Sequence, residues 1–203
     1  MSVPLIVKLG GSLGSQNVLR DWLRALRPMP VVIVPGGGIF ADAVRSAQAQ
    51  WHFDDTLAHR MAIVAMRQYA LMLSGIESGL TLAATETLLQ ELPRHPSARC
   101  WLPDPDELQG PSVEASWRVT SDSLAVWLAQ RLGAKALLLV KSIHLSERSR
   151  SIDCLIDDGV IDPAIPDFLA KSALEIWISG PNDHDHLAEK LTWPNHHFCR
   201  VEG

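Results

Sequence analysis

Apolar and polar positions alternate along the chain in blocks that read as strand, turn, helix. Leu5 to Leu9 is an apolar run interrupted only by Lys8, and it stops at Gly10-Gly11-Ser12-Leu13-Gly14. Helical spacing follows from about Gln16 to Leu26, with apolar positions at Val18, Leu19, Leu23 and Leu26 and with Pro28 and Pro30 as terminators. Val31-Val32-Ile33-Val34 is a β-branched run typical of a strand buried on both faces. It enters Pro35-Gly36-Gly37-Gly38, after which a helix is predicted from about Phe40 to Gln48.

A longer helix rich in Ala, Met and Leu is predicted from Thr56 to Leu73. Arg99 to Leu102 reads as a short strand within a stretch, Thr81 to Ser116, that carries little periodicity. Ser121-Asp122-Ser123 opens an apolar helix, Leu124 to Leu132, closed by Gly133. Two further strands are predicted at Ala136–Val140 and Glu175–Ser179. Strand–helix alternation of this kind predicts an α/β fold with a mainly parallel sheet and right-handed crossovers. No internal repeat or interdomain linker interrupts it, so residues 1–203 are expected to form one domain.

Charge and cysteine content narrow the function classes. The net charge is −5 and no long basic run occurs, which argues against nucleic-acid binding. No apolar run approaches the roughly 18 residues a membrane span needs, and the start lacks the features of a signal peptide, so a cytoplasmic location is expected. Cys100, Cys154 and Cys199 are few, odd in number and widely spaced, which predicts reduced thiols and no zinc site. The pairs His184/His186 and His196/His197 sit in a polar C-terminal region and read as surface residues, so no protein metal site is expected. The seven Trp are scattered and read as packing or interface residues.

Chemistry is indicated at two Gly-rich turns, each following a buried strand: Gly10-Gly11-Ser12 and Gly36-Gly37-Gly38. Missing side chains let backbone N–H groups approach an anion, and the N-terminus of a following helix adds partial positive charge. Lys8 reads either as an edge lysine with its amine in water or as a cation aimed at a phosphate. Its place beside Gly10-Gly11 favours the second. Thr120-Ser121-Asp122-Ser123 reads as a helix N-cap, as a carboxylate that holds Mg2+ or orients lysines, or as both. Lys141 follows the Ala136–Val140 strand and reads equally as a solvated lysine or as a third group at the same sheet edge. The P-loop pattern is absent. Gly36 to Ala41 fits GxGxxA, but Asp54 and Asp55 precede a helix instead of closing a second strand, which disfavours dinucleotide binding. No GxSxG or HExxH motif is present.

These segments together resemble the amino acid kinase superfamily. The resemblance rests on Val7-Lys8-Leu9-Gly10-Gly11-Ser12, on Val34-Pro35-Gly36-Gly37-Gly38, and on Thr120 to Ala125 leading into Leu137 to Lys141. It implies a three-layer α/β/α sandwich, ATP and Mg2+ as cofactors, and a homodimer or larger assembly. It further implies that Lys8 stabilises the transferred phosphoryl group, Gly10, Gly11 and Ser12 cradle it, and Asp122 organises the lysines. Gly36, Gly37, Gly38 and Ser121 would hold a small phosphate or carboxylate acceptor. Lys141, Ser142, Ser179 and Gly180 would surround the nucleotide. The family's late GMxxK segment is replaced here by Gly159-Val160-Ile161-Asp162-Pro163, without its lysine, for which Lys171 or Lys141 is the candidate substitute. Within the superfamily, the run His59-Arg60-Met61 to Tyr69 looks most like the small kinases of methanofuran biosynthesis, which implies that His59 and Arg60 face the phosphate of an aminomethylfuran acceptor. Competing expectations are an amino acid or nucleoside monophosphate acceptor, or a non-catalytic nucleotide- or oxyanion-binding member of the same fold.

Overall fold

The computed structural model describes residues 5–15, 17–91, 97–108, 113–169, 172–188 and 197–203. Gln16, Lys171 and His196, named above, lie outside these residues. The first half of the chain builds β1 (Leu5–Leu9), a 3-10 turn (Gly11–Ser15), α1 (Val18–Leu26), β2 (Val31–Pro35), α2 (Gly38–Trp51) and α3 (Asp55–Ile76). Next come β3 (Thr81–Ala83), α4 (Glu86–Gln90) and β4 (Arg99–Trp101). The second half adds α5 (Ser121–Arg131), β5 (Ala136–Val140), β6 (Ser149–Ser151), α6 (Ile152–Asp157), α7 (Ile165–Leu169), β7 (Glu175–Ser179), α8 (Asp185–Ala188) and β8 (Cys199–Glu202).

One eight-stranded sheet results, in the order β3-β4-β2-β1-β5-β7-β8-β6, with every pairing parallel except β7 with β8. Hydrophobic clusters cover both faces. Ile6, Val32, Leu137 and Leu139 pack with Ile63 of α3 and with the apolar stripe of α5. Val7, Leu9, Ile33 and Leu138 pack with α1 and with Tyr69 and Leu73 of α3. This is the three-layer arrangement expected of strands that are apolar on both faces.

The chain places β2 on one side of β1 and later returns to place β5 on the other. β1 is therefore the point where strand order reverses, and ligands of open parallel sheets gather at the carboxyl ends of the strands there. Successive residues of a strand face opposite layers, so Lys8 shares the face of Ile6 and looks toward α5. That single parity decides which helix its amine meets.

α2 begins at Gly38, two residues before the position predicted, because Gly38 adopts φ 51° and turns the glycine loop straight into the helix. α3 also extends past its predicted ends. At its start the Asp54 carboxylate accepts from the Leu57 amide at 2.8 Å, a local cap that defines the boundary.

Candidate active site

Lys8, on β1, and Lys141, immediately after β5, converge on one carboxylate. The Lys8 Nζ lies 2.7 Å from Asp122 Oδ1, and the Lys141 ammonium donates to Asp122 Oδ2. Lys8 and Asp122 are 5% and 3% exposed, so the contact is made away from bulk water. Burial by itself raises the Asp122 carboxyl pKa, but the charges and hydrogen bonds of Lys141 and Lys8 outweigh it and hold the group at about 2. Burial pushes the Lys141 ammonium pKa downward and the charge of Lys8 adds to this, while Asp122 opposes both. Two lysines thus meet one carboxylate at the mouth of β1.

The two glycine turns interlock in front of this triad. A Cβ on Gly11 would lie 2.3 Å from the Gly38 nitrogen, and one on Gly36 would lie 2.4 Å from the Gly11 nitrogen. Neither position tolerates a side chain, because the opposing atoms are backbone. The Gly36 amide donates to the Leu9 carbonyl at 2.9 Å and the Gly10 amide to the Val140 carbonyl at 3.2 Å, which ties both loops to the strand ends. The Gly10 Cβ position lies 3.7 Å from Lys8 Nζ, so the amine sits directly behind the first turn.

A cavity of about 220 Å3 opens between the glycine loops and α5. Its walls are two helical stripes of identical spacing: Gly38, Ala41, Asp42 and Arg45 from α2, and His59, Ala62, Ile63 and Met66 from α3. Gly11, Gly37 and Ser12 close the floor, and Ser121 and Leu124 of α5 face them. The Trp117 side chain closes the far wall. Its indole N–H donates to Gln48 Oε1 at 2.6 Å, and the Arg45 guanidinium stacks on its ring at 3.7 Å from the centroid.

His59 is 6% exposed, lines the cavity, and its Nε2 has no hydrogen-bond partner. Burial lowers its pKa, opposed by a hydrogen bond to the Ser116 backbone. The imidazole is thereby kept neutral near pH 7, with one nitrogen open to a ligand. Arg60 is elsewhere. Its guanidinium donates to Asp106 at 2.7 Å, and it borders an adjoining groove instead of this cavity. His59 borders that groove as well, so the two side chains share it while His59 alone of the pair lines the cavity.

Lys141, Ser142, Ser179 and Gly180 gather at the carboxyl ends of β5 and β7. The Lys141 amide donates to the Ser179 carbonyl at 2.9 Å, and Asp183 accepts from the Gly180 amide at 2.7 Å and from the Ser179 hydroxyl at 3.3 Å. This group lies on the β5 side of the triad and the cavity on the β2 side, so Lys8 and Asp122 stand between two potential ligand positions.

Of the readings open for Thr120–Ser123, the structure favours the lysine-orienting carboxylate over the N-cap. The Asp122 side chain is committed to the lysines, and the N-cap residue Thr120 makes no side-chain capping bond. The cap comes from Asp162, distant in sequence. Its carboxylate accepts from the Thr120 amide (2.7 Å) and hydroxyl (2.8 Å) and from the Ser123 amide (3.1 Å) and hydroxyl (2.8 Å). Burial raises the Asp162 pKa, and the nearby charge of Asp122 does so too, against these bonds. Asp42, Arg45, Trp117 and Asp162 were all missed from sequence. The Gly38-Ala41-Asp42-Arg45 spacing was readable as a helix face, whereas Trp117 and Asp162 reach their places through irregular backbone that has no period.

Residues 4–145 match the model of the amino acid kinase family. A [5-(aminomethyl)furan-3-yl]methyl phosphate kinase from Methanocaldococcus jannaschii is 28% identical over 144 residues, which cover 68% of this chain and 65% of that relative, a little under two thirds of its length. Among solved structures, uridylate kinase from Archaeoglobus fulgidus superposes with a TM-score of 0.68 at 16% identity, covering 98% of this chain and 100% of that one. UMP kinase from Bacillus anthracis gives 0.70 at 14% identity over 98% and 96% of the respective chains. An isopentenyl phosphate kinase from T. acidophilum gives 0.61 at 11% identity over 98% and 100%. These identities speak for the fold alone. The family match spans both glycine turns, Lys8, Asp122 and Lys141, the groups that converge at the mouth of β1, and on that match the chain belongs to the amino acid kinase family.

Proposed function

We propose that the protein transfers the γ-phosphoryl group of ATP to the phosphate of a small acceptor, with an aminomethylfuran methyl phosphate as the best-supported acceptor. The observation that carries this reading is the buried Lys8–Asp122–Lys141 triad standing behind two interlocked glycine turns. Phosphoryl transfer asks little covalent chemistry of a protein. It needs the two phosphates aligned and the charge on the transferring group neutralised. In this reading the Lys8 amine is placed against the transferred group, and Asp122 aims both lysines. Backbone amides of the glycine turns contact the phosphates, except those of Gly10 and Gly36, which are spent on the Val140 and Leu9 carbonyls. The neutral His59, open at Nε2, takes a hydrogen bond from the acceptor's phosphate or shares its proton. Lys141, Ser142, Ser179 and Gly180 border the nucleotide.

Both oxygens of Asp122 are occupied by lysines, and no cluster of three acidic, imidazole or thiol ligands occurs among the described residues. The residues therefore fit a Mg2+ carried on the nucleotide's own oxygens, where it neutralises phosphate charge. The acceptor preference is supported by the relative whose printed activity is on that furan phosphate.

A second reading, a nucleotide-binding member without chemistry, is favoured by the replacement of the late lysine segment, whose Asp162 serves α5 instead. One experiment separates them. Purified protein is incubated with ATP, Mg2+ and, in turn, the furan phosphate, an amino acid, UMP and isopentenyl phosphate, and ADP is measured. Acceptor-dependent ADP release with the furan phosphate is expected. ADP at background with every acceptor, together with thermal stabilisation by ATP·Mg2+, establishes the second reading. Lys8→Ala should lower turnover by orders of magnitude in a folded protein.

A further inference from the structure

We infer that Asp42 selects the acceptor by pairing with a primary ammonium group carried on the opposite side of the acceptor from its phosphate. This rests on the acceptor reading proposed above and adds the residue that would enforce it.

Three observations converge. First, Asp42 is one of the two charged residues that α2 turns into the cavity, and among the described residues its carboxylate has no ion pair or hydrogen bond; only its backbone carbonyl is engaged, by the Ser46 hydroxyl at 3.0 Å. Second, the cation nearest it on the helix, Arg45, is held elsewhere, stacked on Trp117. Trp117 is in turn fixed by Gln48, so the guanidinium has a defined seat that does not neutralise Asp42. Third, the cavity lining is mixed, with Ile63, Met66, Val119 and Leu124 giving apolar wall among its polar groups, which suits a small body that is apolar in the middle and charged at its ends.

The position of the carboxylate turns these facts into a statement about substrate. Asp42 lies four residues after Gly38, which places it about 6 Å farther along the helix from the glycine floor where the acceptor's phosphate would rest. A bare carboxylate at that distance repels a purely anionic acceptor such as a simple alkyl phosphate. An acceptor that is zwitterionic, with phosphate at the floor and ammonium one helical turn away, converts the same carboxylate from a penalty into a partner. Selection of this kind uses both the attractive contact with the right ligand and the repulsion of the wrong one.

The test compares the wild type with Asp42→Asn on two acceptors, the aminomethylfuran methyl phosphate and an analogue with methyl in place of aminomethyl. Asp42 is exposed, so the substitution is accommodated without loss of the fold. Losing one charge-assisted contact should cut kcat/KM for the amine-bearing acceptor by roughly 10- to 100-fold, mainly through KM. Relief of repulsion should lower KM for the methyl analogue. The signature is a collapse of the preference ratio. If Asp42→Asn changes both acceptors equally, or changes neither, Asp42 does not read the amine and this inference fails while the kinase reading stands. An equal change accompanied by a shifted Mg2+ requirement assigns Asp42 to the metal instead and overturns the inference as well. If the wild type releases ADP with neither acceptor, the acceptor reading falls first and takes the inference with it.

Discussion

Asp122→Asn offers the most direct measure of how much the buried triad contributes to folding. The carboxyl lies at about 2 in the folded protein against an ordinary 3.8. At about 1.4 kcal/mol per pH unit, that depression corresponds to ~2 kcal/mol of folding free energy at neutral pH. The substitution also leaves Lys8 and Lys141 facing each other without a counter-ion. Lys141 relieves part of this by losing its proton, for which burial has already lowered its pKa. A total loss of about 3 kcal/mol is expected, at the lower end of what removing one partner of a buried ion pair costs. For a chain of 203 residues this lowers Tm by roughly 6–12 °C. The dependence on pH has a definite sign. A carboxylate whose pKa falls on folding stabilises the native state above its unfolded pKa, and that contribution is lost as pH drops through the folded value. The difference between wild type and variant should therefore be constant from pH 7 to about 5, then narrow below 3.8 toward 2. Urea unfolding of both proteins at descending pH measures it. A difference below about 1 kcal/mol at pH 7, or one that grows on acidification, refutes the assignment of Asp122 as the shared counter-ion.

Asp162→Ala orphans an amide and a hydroxyl at each of Thr120, half-buried, and Ser123, buried, at the start of α5 and should cost ~2–4 kcal/mol, read as a lowered urea midpoint with an unchanged m-value. A variant as stable as the wild type would mean that water replaces the cap. Gly36→Ala sets a Cβ 2.4 Å from the Gly11 nitrogen and should prevent the loops from interlocking, with a loss of at least ~2 kcal/mol; Gly75→Ala, whose Cβ meets nothing within 4 Å near the end of α3, should gain roughly 0.5–1 kcal/mol. Thermal melts of the pair decide it, and equal behaviour refutes the backbone-contact argument. His59, with its pKa lowered by burial, binds protons more weakly folded than unfolded. Stability should thus fall with pH below 6.5, and His59→Asn should flatten that slope between pH 7.5 and 5.5.

The parts of this site visible in the sequence are those that local rules govern. A lysine in an apolar strand just before two glycines, and a triple glycine after a β-branched run, signal a ligand edge because both depart from what a buried strand and an ordinary turn require. The strands that carry them are mostly apolar, and all four of the five-residue strands β1, β2, β5 and β7 were legible. The short strands were a different matter. β6 is Ser-Arg-Ser, and β8 pairs antiparallel at the far side of the sheet, so neither presents the period or apolarity by which a strand is read. Asp162 shows the same limit within the site. Directly before Pro163 and three residues after Gly159, it reads as turn chemistry, and only its tertiary position against α5 makes it a cap. The segment lacks the family's lysine, yet its effect on the site runs through the acid it keeps: by holding the first turn of α5 from outside, Asp162 frees Asp122 from capping, and a carboxylate that does not cap is the one available to join two lysines.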